Sequence, residues 1–422
     1  MSLVRFVHAA DIHLDSPLKG LEKYESAPVE KIREATREAF KNLIAFCLDE
    51  QVDLLLISGD LFDGDLKDFK AGLFLTSQLK RLSNANILTV IIRGNHDAEA
   101  KMTKKLHWPD LVHELNVKKP ETITFKALNI AVHGQGYAER DIYEDLSQHY
   151  PAAIAGMFNI GLLHTALQGR DGHAAYAPTS VEKLRAKGYD YWALGHVHQR
   201  EVVDTNPYIV FPGNIQGRHA KELGPKGVTL VALEDSHVES VTEHFLDVVR
   251  WDHCQIDLAE ACNEGDVYHA IRKAVSAAED RAEGRLLACR LTLCGATELH
   301  ADLVSRQDDW SYGIRAKMTD SDGDLWIEKI RFKTQAKVDI GQLRTQDNPL
   351  GGVLRTLEQL QADDAGRGEL LDTLNTVNNK LPRRYKQWAD ALNLDDKAQF
   401  DELLEGIEQL IIPKLLQEGG ES

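Results

Sequence analysis

Several things are missing from this chain, and each absence narrows what it can be. No apolar run approaches the roughly 18 residues that would span a bilayer. The N-terminus is apolar but has no basic leader, and Asp11 and His13 interrupt it, so no signal peptide is expected. The five cysteines (Cys47, Cys254, Cys262, Cys289, Cys294) are an odd number without Cys-x-x-Cys spacing. That argues against a disulfide framework or a thiolate zinc site and points to reduced thiols in a reducing cytoplasm. Cys289 and Cys294 sit in a strand-like run as small apolar filler. Positive charge is also scarce: 49 Lys and Arg against 66 Asp and Glu leave a net charge of −17. Nonspecific nucleic-acid binders carry a basic face, so this balance argues against strong autonomous DNA binding. A nuclease stays possible, because metal ions can bring positive charge to a site and a partner subunit can supply a groove. There is no Gly-x-x-x-x-Gly-Lys-Ser/Thr loop, no sustained heptad pattern, no internal repeat and no low-complexity tract.

What remains is a globular chain of 422 residues, 43% hydrophobic and 27% charged, long enough for two or three domains. From residue 1 to about 245 strands and helices alternate. Strand-like runs fall at 3–10, 52–58, 87–93, 122–133, 158–164, 189–195, 208–212 and 228–233, with a hairpin break around Ala127–Asn129. After Pro28, Ile32, Phe40, Leu43, Ile44, Cys47 and Leu48 lie near helical spacing, and residues 70–83 form a second crossover helix. This alternation predicts a layered α/β domain with helices covering its sheets. Residues 251–335 read as a small α+β unit, with a helix between its first two strands. From 336 to 422 helices are separated by breakers such as Asp347-Asn348-Pro349, Gly366 and Lys380-Leu381-Pro382. In the last of these, Phe400, Leu403, Leu404, Ile407, Leu410 and Ile411 form one apolar stripe, which can pack on the chain itself or dock a partner.

Four polar clusters punctuate the first half: Asp11-x-His13, Gly59-Asp60-x-x-Asp63, Gly94-Asn95-His96-Asp97 and Gly195-His196-x-His198, with His164 between the last two. Each cluster directly follows an apolar, β-rich run, and His164 ends another. Ligands in α/β sheets collect at the carboxyl ends of strands. Asp11 and His13 alternate with Ile12, so an extended segment would point both to one side. Any one of these residues has an ordinary reading as a turn or a boundary histidine, but five converging strand ends argue for a metal site. Carboxylate, carboxamide and imidazole donors without thiolate suit Mn²⁺, Fe²⁺ or Zn²⁺. Seven such side chains exceed what one ion needs, so two ions sharing a bridging carboxylate are expected.

The series DIH, GDLFD, GNHD, GLLH and GHVH resembles the calcineurin-like metallophosphoesterase superfamily. The stretch Phe211 to His219 (FPGNIQGRH), with Gly224-Pro225-Lys226-Gly227 after it, is similar to the SbcD-type DNA repair exonucleases and especially their YhaO-like branch. The resemblance covers about residues 1–235 by motif. It implies a layered β-sandwich flanked by helices, capped by the 251–335 unit as a substrate-shaping, DNA-binding module. It assigns Asp11, His13, Asp60 and His198 to one ion and Asp60, Asn95, His164 and His196 to a second, with Mn²⁺ expected at both. His96, paired with Asp63, would act on the substrate phosphate and protonate the leaving oxygen rather than bind metal. Many nucleases of the wider family carry a histidine where this chain has Asp63. Lys101, Lys104, Lys105, Arg200, Arg218 and Lys221, with Lys226, flank the metal loops and could touch a nucleic-acid backbone. The implied function is DNA exonuclease, with possible single-strand endonuclease activity, in DNA repair. It would be cytoplasmic and nucleoid-associated when acting on DNA, and would work with an SbcC-like coiled-coil ATPase. A homodimer through the first domain's helices is implied as well. Two further readings stand beside it: a phosphatase or phosphodiesterase acting on nucleotides or phosphoproteins, and a scaffold that keeps the fold without the chemistry.

Overall fold

The computed structural model describes residues 3–16, 28–63, 69–99, 106–167, 176–319, 324–337 and 349–362, together with 344, 345, 347 and 406. The C-terminal stripe from Phe400 to Ile411 lies outside the described residues, apart from the neighbouring Gly406. The chain divides into two compact units. The first holds 1–253, 278–289 and 322–328; the second holds 254–277, 290–321 and 329–422.

The first unit is built on two six-stranded sheets. In one the order is β12 (His237–Phe245), β11 (Gly227–Glu234), β1 (Leu3–Ala9), β2 (Leu54–Ser58), β3 (Leu88–Ile92) and β4 (Val112–Glu114). β1 to β4 run parallel, and β11 and β12 pair antiparallel as a hairpin. In the other the order is β5 (Glu121–Phe125), β6 (Ile130–Gly134), β7 (Phe158–His164), β8 (Tyr191–Gly195), β10 (Tyr208–Phe211) and β9 (Glu201–Thr205). Here β6, β7, β8 and β10 are parallel.

Strand periodicity sorts the side chains into layers. Phe6, Leu54, Leu56, Val90 and Ile92 meet Ile130, Val132, Ile160, Leu162 and Tyr191 between the sheets. The alternate residues Val7, Ala9, Leu55, Ile57 and Ile91 face outward into a second layer with Ala39, Phe40, Leu43 and Ile44 of α1 (Val29–Asp49) and Leu75 and Leu79 of α2 (Phe69–Asn84). On the outer face of the other sheet, Leu163, Trp192, Leu194 and Ile209 pack with Tyr137, Tyr150 and Leu184 of α4 (Val181–Ala186). A strand covered on both faces must be apolar throughout, which is why LLLIS and YWALG do not alternate.

The fold class expected from the sequence is the one observed: mixed α/β with sheets flanked by helices. Three strands were not expected. β4 has only three residues, and β9 and β12 are sheet-edge strands whose residues (EVVDT, HVESVTEHF) are mostly half-buried or exposed. Edge strands carry polar residues on both faces, so they show neither an apolar run nor clean alternation.

In the second unit, the later parts of β13 (Val249–Asp257), β14 (Leu286–Thr297) and β15 (Leu325–Ala336) carry on a three-stranded sheet of that order. Val267, Ile271 and Val275 of α5 (Glu264–Ala282) are buried, as are Leu291, Leu293, Leu303 of α6 (His300–Ser305), and Ile314 and Met318 of α7 (Gln307–Thr319). His300 Nδ1 lies 2.9 Å from Thr334 Oγ1, tying α6 to β15. α8 (Pro349–Ala362) starts at the proline expected to break the chain, since a first helical residue needs no N–H partner. Among the described residues no helix is long and apolar enough to cross a membrane.

Phe6 is fully buried with its ring 5.2 Å from Tyr191 and 6.4 Å from Phe158, so it spans the gap between the sheets. Phe6→Ala should destabilise the first unit by about 3–5 kcal/mol, read as a lower urea midpoint of its unfolding transition at unchanged slope.

Candidate metal centre

The carboxyl ends of three neighbouring strands of one sheet, β1, β2 and β3, lie against those of two neighbouring strands of the other, β7 and β8. After β1 come Asp11 and His13; after β2, Asp60 and Asp63; after β3, Asn95 and His96 open the short helix α3 (Asn95–Glu99); His164 ends β7, and His196 and His198 follow β8. Beyond β1 and β2 the chains stay in register, with Asp11 N donating to Gly59 O (3.1 Å), His13 N to Asp60 O (2.9 Å) and Leu14 N to Leu61 O (2.8 Å). The segment 11–13 is not extended as the sequence pattern suggested. Asp11, His13 and Asp60 have φ of 50°, 45° and 52°, a left-handed conformation rare for residues with a Cβ and concentrated at functional sites. These turns, rather than strand alternation, bring Asp11 and His13 to the same place. Gly94 is required by proximity, since a Cβ there would land on the Asp60 carboxylate.

Behind the site a polar pin crosses between the sheets. His8, fully buried on β1, has Nε2 3.1 Å from the Leu194 carbonyl and 3.0 Å from Ser58 Oγ, while Tyr191 Oη lies 3.1 Å from Nδ1. Because a carbonyl only accepts, the proton sits on Nε2 and the tyrosine donates to Nδ1. Ser58 Oγ in turn donates to Ala193 O at 3.0 Å. Burial takes the His8 imidazole down to about 3, so it stays neutral.

Ligand-type atoms meet in three groups among the described residues; one of them joins His13 to Asp63 and His96, and the other two share Asp11. Asp11, His13 and His198 form one; Asp11, Asp60 and His164 form the other, the ligand atoms of each group lying within 4.8 Å of one another. His13 Nε2 is 3.2 Å from His198 Nε2 and 3.8 Å from Asp60 Oδ2. His164 Nε2 is 3.4 Å from Asp60 Oδ2 and 3.0 Å from Asn95 Oδ1. Asp60 reaches both groups.

The opposite ring nitrogens are all engaged. His13 Nδ1 bonds Asp63 Oδ1 at 2.7 Å, His198 Nδ1 bonds Glu222 Oε1 at 2.7 Å, and His164 Nδ1 bonds the Ser58 carbonyl at 2.8 Å. Histidines that hold metals are oriented in this way, with one N–H on a carboxylate or carbonyl and the other nitrogen's lone pair free for the ion. With both Nδ1 protons so used, His13 and His198 turn two lone pairs toward each other at 3.2 Å, which only a cation between or beside them makes favourable. The donor set and its geometry therefore fit a pair of divalent ions.

Electrostatics carries the same message. Burial, partly offset by His198 and His164, raises Asp11 to about 6. Burial and the neighbouring Asp60 raise Asp97 to about 7, against three backbone N–H groups (Gly94, Phe62, Leu61) that donate to it. Burial, with Arg218, lowers His13 to about 4. His164 goes the other way: burial opposes its charge, but Asp60 and Asp11 outweigh it and lift the ring to about 9. Asp60 is likewise pushed up by burial and held well below the carboxylate range by His164.

The remaining expected residues are placed as follows. His196 donates its backbone N–H to Asp11, and its ring lies edge-on to His164 (5.2 Å) and Tyr176 (5.8 Å). His96 is the most open histidine of the group, 36% exposed, with Nδ1 3.5 Å from Asp63 Oδ1. Asp63 is nearer to His13 than to His96 and also accepts from Ser16 and, at 3.3 Å, from Arg218. Arg200 lies 3.9 Å from Glu243, Lys221 is exposed, and Lys226 is buried with Nζ donating to His198 O. Lys101, Lys104 and Lys105 lie outside the described residues. Sequence reasoning missed Glu222, the tie that Arg218 makes to it, and the loop-pinning Asp97. Asp97 was visible as the last letter of GNHD. Glu222 carries no signal beyond sitting four residues after Arg218.

A family model described as calcineurin-like phosphoesterase matches residues 4–200, and one described as the middle domain of metallophosphoesterase YhaO matches 251–335. The metallophosphoesterase YhaO of Bacillus subtilis (strain 168), named as uncharacterized, is 31% identical over 403 residues, spanning 94% of this chain and 95% of that protein. The DNA double-strand break repair protein Mre11 of Sulfurisphaera tokodaii is 30% identical over 250 residues, 55% of this chain and 60% of that one. Among solved structures, a dimetal phosphatase from Danio rerio matches with a TM-score of 0.34 at 10% identity, over 55% of this chain and 92% of that one.

Because His164 is protonated at neutral pH without metal and must release that proton to bind one, metal uptake should release protons. Calorimetric titration with Mn²⁺ at about pH 7.5 in two buffers of different ionisation enthalpy should show net release. Affinity should rise with pH up to about 9, where the ring loses its proton unaided.

Proposed function

The chain belongs to the calcineurin-like metallophosphoesterases, and on that footing we propose that it is a two-metal phosphodiesterase that hydrolyses DNA, uses Mn²⁺ and works with an SbcC-like coiled-coil ATPase. The observation that carries this reading is the pair of His/Asp groups that share Asp11, with Asp60 of the second group 3.8 Å from His13 of the first. Asp11, His13, Asp60 and His198 would hold one ion, and Asp60, Asn95, His164 and His196 the other. Bound there, the ions supply Lewis acidity, lowering the pKa of water and neutralising phosphate oxygens.

The chain's own residues do the rest. The three Nδ1 anchors fix the imidazoles before substrate arrives, so no reorganisation is required during the reaction. His96, partly open to solvent, delivers a proton to the leaving oxygen from the ring nitrogen turned away from Asp63. Asp63 holds that ring only loosely, because its carboxylate is shared with His13 and Arg218.

DNA is favoured over other phosphodiesters by two things. One is the likeness to a protein named for double-strand break repair. The other lies in the second unit, where Lys329, Arg331 and Lys333 recur at every second position of β15, on the face opposite the buried Glu328 and Thr334. That row suits successive phosphates on a backbone. The ATPase is drawn from the resemblance to the SbcD-type exonucleases, and the sequence, which has neither a nucleotide loop nor sustained heptads, is consistent with it. A second reading, a nucleotide or phosphoprotein phosphatase, draws on the Asp63–His96 pair and the acidic balance.

Labelled double- and single-stranded DNA, mononucleotides and a phosphopeptide, each with Mn²⁺ and with or without chelator, separate the two. Degradation of DNA that stops in chelator, with slow turnover of the small substrates, is expected; the reverse ranking would select the phosphatase. His96→Ala should retain both metals and lose turnover by about 10²-fold or more. Charge reversal at Lys329 and Lys333 should weaken DNA binding and flatten its dependence on salt, by roughly one unit of slope for each phosphate no longer neutralised.

A further inference from the structure

The carboxylates that anchor His13 and His198 are themselves joined to one another. Glu222 is 7% exposed, and both of its carboxylate oxygens are engaged. Its Oε1 accepts from His198 Nδ1 at 2.7 Å, and its Oε2 accepts from Asn214 Nδ2 at 2.9 Å and from the backbone N–H of Arg218 at 2.7 Å. Arg218 then reaches across the site. Its Nη2 lies 3.3 Å from Glu222 Oε1, and its Nη1 lies 3.3 Å from Asp63 Oδ1, the carboxylate that anchors His13. The side chain of Arg218 is 14% exposed. A planar guanidinium with two parallel N–H directions can hold two carboxylates at a set separation, which a lysine cannot.

We propose that Glu222, Arg218 and Asp63 form a clamp that positions His13 and His198 as a pair and thereby sets the affinity of one metal position independently of the other. These are positioning residues: each acts through a histidine rather than on substrate. The clamp has a single purpose at each end. Asp63 and Glu222 are both acceptors on Nδ1, so both imidazoles present Nε2, and Arg218 keeps the two acceptors apart by a fixed distance. The 3.2 Å separation of the two Nε2 atoms is the outcome. The second metal position uses none of this, since His164 is anchored by the Ser58 carbonyl and Asn95 comes from the start of the helix after β3. A purely structural salt bridge would have no reason to distinguish the two positions.

The stretch around residues 211–227 gains a different meaning from this. Asn214 is fully buried and spends its amide on Glu222 and on the Gln216 carbonyl. Gln216 is buried too, accepting from Val248 N and Val249 N and donating to the Val249 carbonyl. These side chains face inward, holding the turn that presents Glu222 and Arg218. The segment is thus a support for the metal position rather than a strip of surface cations.

The inference rests on the two-ion reading, and the test keeps the two apart. Mn²⁺ binding to the full chain is measured by calorimetry and by the electron paramagnetic resonance of free Mn²⁺, for wild type, Glu222→Ala, Glu222→Gln and Arg218→Ala. Thermal melts in chelator show that each variant is folded, and Glu222→Gln, which keeps volume and one acceptor oxygen, serves where Glu222→Ala does not fold. Wild type should bind two ions. In Glu222→Ala and Arg218→Ala one of the two should weaken by about 10–100-fold, the range seen when an outer partner of a ligand is removed, with the other unchanged. Glu222→Gln should fall between. Turnover should recover as Mn²⁺ is raised. Two ions in wild type with both isotherms unchanged in the variants, or with both weakened alike, would overturn the clamp alone. Fewer than two ions in wild type would overturn the two-ion reading and the clamp with it.

Discussion

Everything in this site depends on the alignment of two sheets, and that alignment is held by a hydrogen-bonded pin at their interface. His8 on β1 bonds the Leu194 carbonyl and Tyr191 on β8, and Ser58 on β2 bonds the Ala193 carbonyl. Apolar packing between sheets is strong but poorly directional, and it would tolerate a slide of the layers. Buried hydrogen bonds are costly to leave unmade, so they select one offset among many of similar apolar burial. Only in that offset do the ends of β1, β2 and β3 meet those of β7 and β8. The pin lies directly beneath the candidate metal centre, since Ser58 carries its hydroxyl in the pin and its carbonyl on His164.

The unusual charge balance makes sense in the same light. A chain with a net charge of −17 handles an anionic substrate by concentrating its carboxylates and imidazoles where cations can sit. The carboxylates are buried to the point that Asp11 and Asp97 are driven toward protonation, which is the expected condition of a site built around positive ions. Among the described residues, the cations beside the centre are committed: Arg218 is bound to carboxylates and Lys226 to a carbonyl.

The sequence made much of this legible, for a specific reason. Central strands covered on both sides must be apolar throughout, so LLLIS, LTVII and YWALG announce themselves, and polar residues that follow them abruptly stand out. That is why Asp60, Asn95, His164 and His198 could be read as a group. What could not be read is anything set by contact between distant segments. Glu222 looks like any acidic loop residue until the fold brings it to His198, 24 positions away. Asp63 was legible as a partner for His96, but the fold gives it a closer one in His13. The left-handed turns at Asp11 and His13 defeated the alternation argument, because backbone conformation after a strand end is decided by the neighbouring loop it pairs with. The edge strands β9 and β12 escaped because partial exposure removes the pattern that burial writes into central ones.

The Ser58 carbonyl has one more implication. Two of the three imidazole anchors are side chains, so point substitution can adjust them, swap them or delete them, and natural variation can drift through these states one codon at a time. The third is main chain, identical in chemistry whatever residue occupies the position, and removable only by displacing β2 itself. One half of the candidate centre is therefore held by anchors that substitution can change, while the anchor of the other half is inherited with the fold.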